Sequence, residues 1–332
     1  MNRLPACHSR HDVSDPSQVG ELRRRTIERA RAAGFDEARA NDAAIVASEL
    51  ATNILKHATR GAVLLGTTDA GALEIVALDQ GPGIADIGRA LGDGYSTRGT
   101  LGTGLGAVTR LAARFDIWSG SGGTVIVACL GAADAASPRV GGICVACTGE
   151  IVCGDAWQLR GDGAATALLL VDGLGHGSDA ASASGSALAA FSEPKSLDPL
   201  VLVEHIDGAM RRTRGGAAAV ATLADGVVRY CGIGNISARL DGGARSRGLV
   251  SNNGIIGGTH RHARTYDYEL GDAALLVMHS DGVQTRWDLD AYPGLRQRSP
   301  MLIAAVLYRD FARGNDDATV VVFALRATGV PS

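Results

Sequence analysis

The spacing of apolar and polar positions divides the chain into a helix-led first half and a strand-rich second half. After Asp15-Pro16, which reads as an N-cap followed by proline at the first helical position, Val19, Leu22, Ile27 and Ala30 recur at helical spacing, and Gly34 can end that helix. Asp36 caps a second predicted helix running to about Ala58, with the stripe Ala43, Ala47, Leu50, Ile54 and Ala58. Strands are predicted at 62–68 and 73–78 around the turn Asp69-Ala-Gly71. A glycine-rich stretch, a helix over 107–115 and strands over 116–119 and 124–130 follow. Tight turns between most of these strands favour a mixed or antiparallel sheet with helices on one face.

The small, turn-prone run 131–142 reads as a linker. Beyond it, strands are predicted at 143–149, 167–171, 217–223, 227–231, 236–240, 273–279 and 318–325, and helices at 178–191, 199–212 and 300–312. Ser299-Pro300 is a favourable helix start. The pattern predicts an α+β protein of two domains, residues 1–130 and 143–327, the second a sheet-on-sheet sandwich covered by helices.

Composition narrows the function classes. The 332 residues are 46% hydrophobic and 20% charged, as in a globular protein, and the formal net charge is −3. With no long basic run, nucleic acid is not an expected partner. No apolar stretch approaches a membrane span, and the first residues lack the apolar core of a signal peptide, so the expected compartment is the cytoplasm. Six cysteines are scattered along the chain, and Cys144-Val-Ala-Cys147 is a lone pair that reads as buried strand thiols rather than zinc ligands.

Two constellations carry chemistry. In the first half, Glu49 and Asn53 lie four apart on one helix face beside the apolar stripe, with His57 one turn on. An apolar strand then feeds Asp79 into the turn Gln80-Gly81-Pro82-Gly83. After it come Asp93-Gly94-Tyr95-Ser96-Thr97 and the glycine-rich run Gly99 to Gly106. Phosphoryl transfer needs a metal-bound triphosphate and a positioned base. A carboxylate, a metal-ligating amide, an acceptor for a purine amino group and a glycine-rich flap over the phosphates fit that need.

In this order the motifs resemble the GHKL ATPase family. Glu49-Leu-Ala-Thr-Asn53 is similar to its N-box, Asp79-Gln-Gly-Pro-Gly83 to its first glycine box and Gly102-Thr-Gly-Leu-Gly106 to its second. The string from Asp79 to Thr97 most resembles the small RsbT-type serine kinases of bacterial partner switching, which phosphorylate STAS-domain antagonists. The resemblance implies a GHKL (Bergerat) α/β sandwich that binds ATP or ADP with Mg²⁺. Glu49 would be the general base, Asn53 the Mg²⁺ ligand and Asp79 the adenine anchor. Gly81, Gly83, Gly94, Thr97, Gly102, Gly104, Leu105, Gly106 and Thr124 would complete the nucleotide site.

In the second half, acidic residues fall at predicted strand ends: Asp155 after an apolar strand, Asp172-Gly173, Asp281-Gly282 and Asp316-Asp317. Carboxylates converging on one rim suit hard divalent cations, and two such cations can activate water toward a phosphate ester. Cys153-Gly-Asp155, Val171-Asp-Gly-Leu-Gly-His-Gly177, Gly232-Ile-Gly-Asn235, His279-Ser-Asp-Gly282 and Asn315-Asp-Asp-Ala-Thr319 resemble the type-2C serine/threonine phosphatases of the RsbX/SpoIIE branch. That resemblance implies an α/β-β/α sandwich with two Mn²⁺ or Mg²⁺ ions. Asp172 would bridge them, Gly173 would lend its carbonyl, Asp281 and Asp316 would complete the first site, and Asp155 would lie near the second. Asp317 stands as the alternative to Asp316. His176 reads either as a satisfied loop histidine or as a phosphate contact, and no arginine can be assigned to phosphate.

The combined expectation is a bifunctional regulator that phosphorylates a STAS-domain protein and dephosphorylates the same or a related one, in stress or sigma-factor signalling. The alternatives are an ATP-binding module that sequesters a sigma factor or a phosphatase, and a chain with one inactive domain.

Overall fold

The structure, a computed structural model, describes residues 7–58, 60–68, 71–92, 104–131, 139–161, 165–242, 246–260 and 262–325. The chain divides into two compact units. One comprises His8–Pro138 with Tyr292–Arg309, the other Met1–Cys7, Arg139–Ala291 and Asp310–Ser332.

In the first of these, β1 (Ser9–Val13), β2 (Gly61–Thr67), β3 (Leu73–Asp79), β4 (Arg114–Gly120) and β5 (Gly123–Leu130) form one antiparallel sheet in the order β1-β2-β3-β5-β4. Helices α1 (Pro16–Ala32) and α2 (Glu37–His57) are joined by a turn in which Gly34 takes φ +88°. Asp15 caps α1 through Ser17 and forms a reciprocal capping box with Gln18. Asp36 caps α2 through Arg39. The expected α2 stripe is buried: Ala43, Ala47, Leu50 and Ile54 pack with Val63, Leu65, Ile75 and Ala77 from one sheet face. The short α3 (Ile87–Leu91) and α4 (Gly104–Leu111) close the helical layer.

The predicted helix over 107–115 is displaced toward the N-terminus. Arg114 and Phe115 instead open β4, pairing with Cys129 and Ala128 of β5, so the sheet ladder takes those two residues from the helix. Strand β1 was not anticipated, because its alternation Ser-Arg-His-Asp-Val leaves one mostly polar face.

The other unit is a two-sheet sandwich. One sheet contains β7 (Asp155–Gly161), β8 (Thr166–Gly173), β9 (Gly216–Ala224), β10 (Val227–Ile233) and β13 (Tyr266–Glu269). The second contains β6 (Val140–Val145), β11 (Ser237–Asp241), β12 (Ser246–Gly248), β14 (Leu275–His279) and β15 (Ala318–Ala324). Leu168, Leu170, Ala219 and Tyr230 of the first meet Leu276, Met278, Val321 and Phe323 of the second in a shared core. Helices α5 (Ser178–Ser192) and α6 (Pro199–Met210) cover the outer face of the first sheet through Ala187, Phe191, Leu202 and Ile206. Strand β6 begins at Val140, inside the stretch read as linker.

The last helix, α7 (Pro300–Phe311), lies between the sandwich strands β14 and β15 in sequence, yet residues 292–309 pack within the unit built on β1–β5. Trp118 donates from Nε1 to the Pro293 carbonyl at 3.1 Å and its ring meets that of Tyr292 at 5.4 Å. Asp116 Oδ2 accepts from Ser299 N at 2.8 Å, so a strand carboxylate caps the backbone just before α7.

Candidate functional sites

The first site is a cavity of about 410 Å³ between the helical layer and the sheet. Helix α2 brings Glu49 and Asn53 to its wall, and His57, one turn on, also lines it. The sheet contributes Asp79 and Thr124, and Gly83, Gly104 and Leu105 also line it. Asp79 Oδ1 accepts from Gly81 N at 2.8 Å and from Thr124 N at 3.0 Å. Two backbone donors therefore orient the carboxylate and leave its other oxygen for a ligand's amino group. Gly83 has φ +80°, and a Cβ there would come within 2.2 Å of the Gly120 carbonyl, so the turn after Asp79 requires glycine. Ser119 Oγ ties this turn to the sheet by accepting from Ile84 N at 2.7 Å and pairing with Thr124 Oγ1 at 2.9 Å.

Gly81 lies beside the cavity through its bond to Asp79, and Gly106 lies in α4 next to the lining residue Leu105. Gly94, Thr97 and Gly102 lie outside the described residues. Lys56 and Arg89, which the sequence did not single out, also line the cavity and add positive charge to it. Lys56 follows Asn53 by three residues on the same helix, and that spacing was the available signal.

The second site is a rim of carboxylates at one end of the sandwich. In the β7–β8 ladder Asp155 stands directly opposite Asp172. Asp155 opens β7 rather than following an apolar strand; Ile151 and Val152 before it are exposed. Antiparallel pairing of His279 with Val320 brings the end of β14 beside the start of β15, which places Asp281 and Asp316 together. Ser280 fastens the two sheets at this rim: its Oγ donates to Asp155 Oδ2 at 2.6 Å and accepts from Thr319 N at 3.0 Å. A Cβ at Gly282 would meet the Asp317 carbonyl at 1.9 Å, so the close approach of the two turns excludes any side chain there.

The adjacent acids differ in what they hold. Asp317 is buried, and its two oxygens accept from Cys147 N and Gly154 N, both at 2.7 Å. Asp316 is half-buried, and its Oδ1 accepts from Asp317 N at 2.9 Å. Asn235 donates to Asp281 Oδ2, and Gly173 follows Asp172 at the end of β8. His176 pairs with Glu150 at 2.7 Å and is exposed, as a satisfied loop histidine would be. Two arginines that the sequence left unassigned approach the rim. Arg214 lies over Gly175 in the loop after Asp172 and pairs with Asp179, and Arg313 donates from Nε to the Asp281 carbonyl at 2.9 Å.

The electrostatics of the rim fit divalent cations. Burial, then the charge of Asp172, pushes the Asp155 carboxyl far above the ordinary range. Asp172 is pushed up to about 7 by burial, then by Asp281, Asp316 and Asp317. Asp281 is raised by burial and by Asp316. Asp155 Oδ1 is buried with no hydrogen-bond partner among the described residues. Mutually repelling carboxylates with an orphaned buried oxygen are stabilised by hard cations with oxygen ligands, as Mg²⁺ and Mn²⁺ are.

Known proteins resemble the two halves of the chain separately. Residues 13–130 match the histidine kinase-like ATPase domain, and residues 162–326 match stage II sporulation protein E (SpoIIE). Each half of the chain thus matches a family model of its own, a histidine kinase-like ATPase domain first and SpoIIE second. Over 85 residues it is 47% identical to the serine/threonine-protein kinase RsbT of Bacillus subtilis, covering 24% of this chain and 64% of RsbT. The match thus spans a little under two thirds of that relative.

Among solved structures, one from work on the bacterial stressosome, described as a modular system adapted to control secondary messenger signaling, aligns at 26% identity. It covers 55% of this chain and 97% of its own, with a TM-score of 0.50. RsbX in complex with magnesium aligns at 20% identity over 56% of this chain and 94% of its own, with a TM-score of 0.47. No helix among the described residues is long and apolar enough to cross a membrane.

Proposed function

We propose that this chain is a bifunctional partner-switching regulator acting in the cytoplasm. Its ATPase-type domain transfers phosphate from ATP to a serine or threonine of a STAS-domain antagonist, and its SpoIIE domain removes phosphate from the same or a related protein. The observation that carries the reading is the pairing, on one chain, of the Asp79 cavity with the Asp155–Asp172–Asp281–Asp316 rim. Partner-switching through STAS proteins is supported by the RsbT relationship and by the stressosome structure.

In the kinase reaction, Asp79 would hold the adenine amino group and Asn53 would ligate the Mg²⁺ that accompanies ATP. Lys56 and Arg89, on the cavity wall, would offset phosphate charge, and Glu49 would take the proton of the attacking hydroxyl. Gly81, Gly83, Gly104, Leu105, Gly106 and Thr124 would shape the pocket, and Gly94, Thr97 and Gly102, which lie outside the described residues, are assigned to the nucleotide by the resemblance alone.

In the phosphatase reaction, Asp172, the Gly173 carbonyl, Asp281 and Asp316 would hold two divalent cations, with Asp155 near the second. When bound, these cations would supply the charge that activates water and offsets that of the phosphate ester. Asp317 positions the Cys147 and Gly154 backbone behind that rim, and Ser280 fixes Asp155. Covalent fusion places both activities at one docked substrate, where the second encounter is intramolecular.

A pull-down with the full chain followed by phosphosite mass spectrometry tests the partner class. The reading requires a STAS-domain protein whose phosphorylated fraction is higher with Asp172→Asn than with wild type. Capture of no STAS-domain protein, or equal phosphorylation with both, contradicts it.

A further inference from the structure

Three thiols meet in the sandwich unit behind the carboxylate rim, where Cys144 Sγ lies 3.7 Å from the Asp155 carbonyl. Cys144 lies on β6, Cys153 precedes β7, and Cys7 comes from the N-terminal segment. Their Sγ atoms all lie within 4.8 Å of one another. Cys7 and Cys144 approach to 2.9 Å, and Cys144 and Cys153 to 3.5 Å. Cys144 and Cys153 are buried, whereas Cys7 is only half-buried. The other cysteines, Cys129, Cys147 and Cys231, are not members of this group.

The distances separate two chemistries. Thiolates around zinc, at metal–sulfur bonds of about 2.3 Å and tetrahedral angles, sit about 3.8 Å apart. The Cys7–Cys144 pair, at 2.9 Å, is already closer than that. A disulfide needs about 2.04 Å, so the two sulfurs must close by less than about 1 Å. The geometry points to a thiol–disulfide site in which Cys7 and Cys144 form a reversible disulfide and Cys153 is the thiol positioned to exchange with it.

The oxidant is a hydroperoxide, and the half-buried Cys7 is the sulfur it reaches first. The peroxide takes two electrons from Cys7 Sγ, giving a sulfenic acid and water, or the alcohol from an organic peroxide. Cys144 Sγ attacks that sulfur, the S–O bond breaks, and a second water leaves with the thiol proton. Exchange then needs no further oxidant: Cys153 attacks Cys144 Sγ, the Cys7–Cys144 bond breaks, and Cys7 takes up the proton. The first bond ties Cys7, one residue before His8 and two before β1, to β6. The second ends two residues from Asp155.

The test is thiol mapping on the native full chain. The protein is treated with hydrogen peroxide, blocked with N-ethylmaleimide under denaturing conditions, digested without reductant and read by mass spectrometry. We expect loss of two of the six alkylatable thiols and a Cys7–Cys144 cross-linked peptide, accompanied by its exchange product Cys144–Cys153, both removed by dithiothreitol, and neither link in Cys7→Ser, which lacks the sulfur the peroxide reaches. Cys144→Ser should give neither link, with an unchanged circular dichroism melt in reductant as the folding control. If Cys144→Ser unfolds, Cys144→Ala serves the same purpose. Full alkylation of all six thiols after peroxide overturns the proposal. So does a cross-link pattern no richer in Cys7–Cys144 than in pairs with Cys129 or Cys231, or a protection of the three thiols that a chelator, not a reductant, relieves.

Discussion

Asp155 and Asp172 stand opposite each other in the β7–β8 ladder, a buried and a half-buried carboxylate in register, each raised by burial and by neighbouring carboxylates. Such a pair is costly unless a proton or a cation is shared. Divalent cations should therefore stabilise the fold. At a hundredfold excess over Kd the gain is about 2.7 kcal/mol, or a rise of roughly 5–10 °C in the melting temperature of a domain this size. Thermal melts with and without Mn²⁺ or Mg²⁺ read this. Asp172→Asn should lose most of the shift, and an equal shift in wild type and variant would remove Asp172 from the site.

The neighbours Asp316 and Asp317 separate by what each holds. Asp317→Ala strands the Cys147 and Gly154 amides and should cost about 2–4 kcal/mol of stability, with or without cation. Asp316→Ala should leave the metal-free melt nearly unchanged but abolish much of the cation-induced shift. Denaturant titrations of both variants, with and without Mn²⁺, distinguish the two roles, and a reversed pattern would exchange them.

At the nucleotide cavity, Asp79→Asn keeps an acceptor for Gly81 and Thr124 but turns one oxygen into an amide that repels an adenine amino group. Loss of a charge-assisted hydrogen bond of about 1.5–3 kcal/mol predicts ATP binding weaker by roughly 10- to 150-fold. Isothermal titration calorimetry measures it, and unchanged affinity would remove Asp79 as the adenine anchor.

A pH dependence follows from Asp207, away from both sites. Burial alone would raise its carboxyl, but hydrogen bonds from the Gly257 N–H, His260 and Arg211 outweigh burial and lower it below 3.8. A depressed folded value contributes stability that is present above the unfolded value and lost as pH falls through the folded one. Asp207→Asn should therefore be less stable than wild type near neutral pH, and the difference should shrink as pH falls below 3.8. Chemical denaturation across that range tests it; a gap that widens toward acid would contradict the assignment.

Much of this was legible because local signals and tertiary packing agree. Asp15-Pro16, Asp36 and the alanine-rich stripe of α2 predict two helices that the structure forms within a residue or two. Asp-Gly pairs at strand ends mark the rim because a strand's last residue must present its carboxylate where the sheet stops. What was not legible depends on distant partners. Strand β1 exists because β2 offers it an edge, and Phe115 leaves its helix for the ladder with Ala128. The expectation of Asp316 rather than Asp317 as a cation ligand came from the family pattern, whereas the contact that sets the two acids apart, the amides of Cys147 and Gly154 on Asp317, spans 170 residues of chain from Cys147. Arg214 and Arg313 carried no sequence signal at all, since only folding brings them over Gly175 and Asp281.

The central claim is that one chain both adds and removes the same class of phosphate. Its most direct test is a time course of labelled phosphate from γ-labelled ATP on a purified STAS-domain partner, with the full chain as the only enzyme. Wild type should give a transient or low steady level of phosphoprotein with continuing, partner-dependent ATP consumption. Asp172→Asn should drive labelling toward completion, and Glu49→Ala should give none while still releasing phosphate from pre-labelled partner. Label that accumulates equally in wild type and Asp172→Asn, or that persists in Glu49→Ala, would contradict the account.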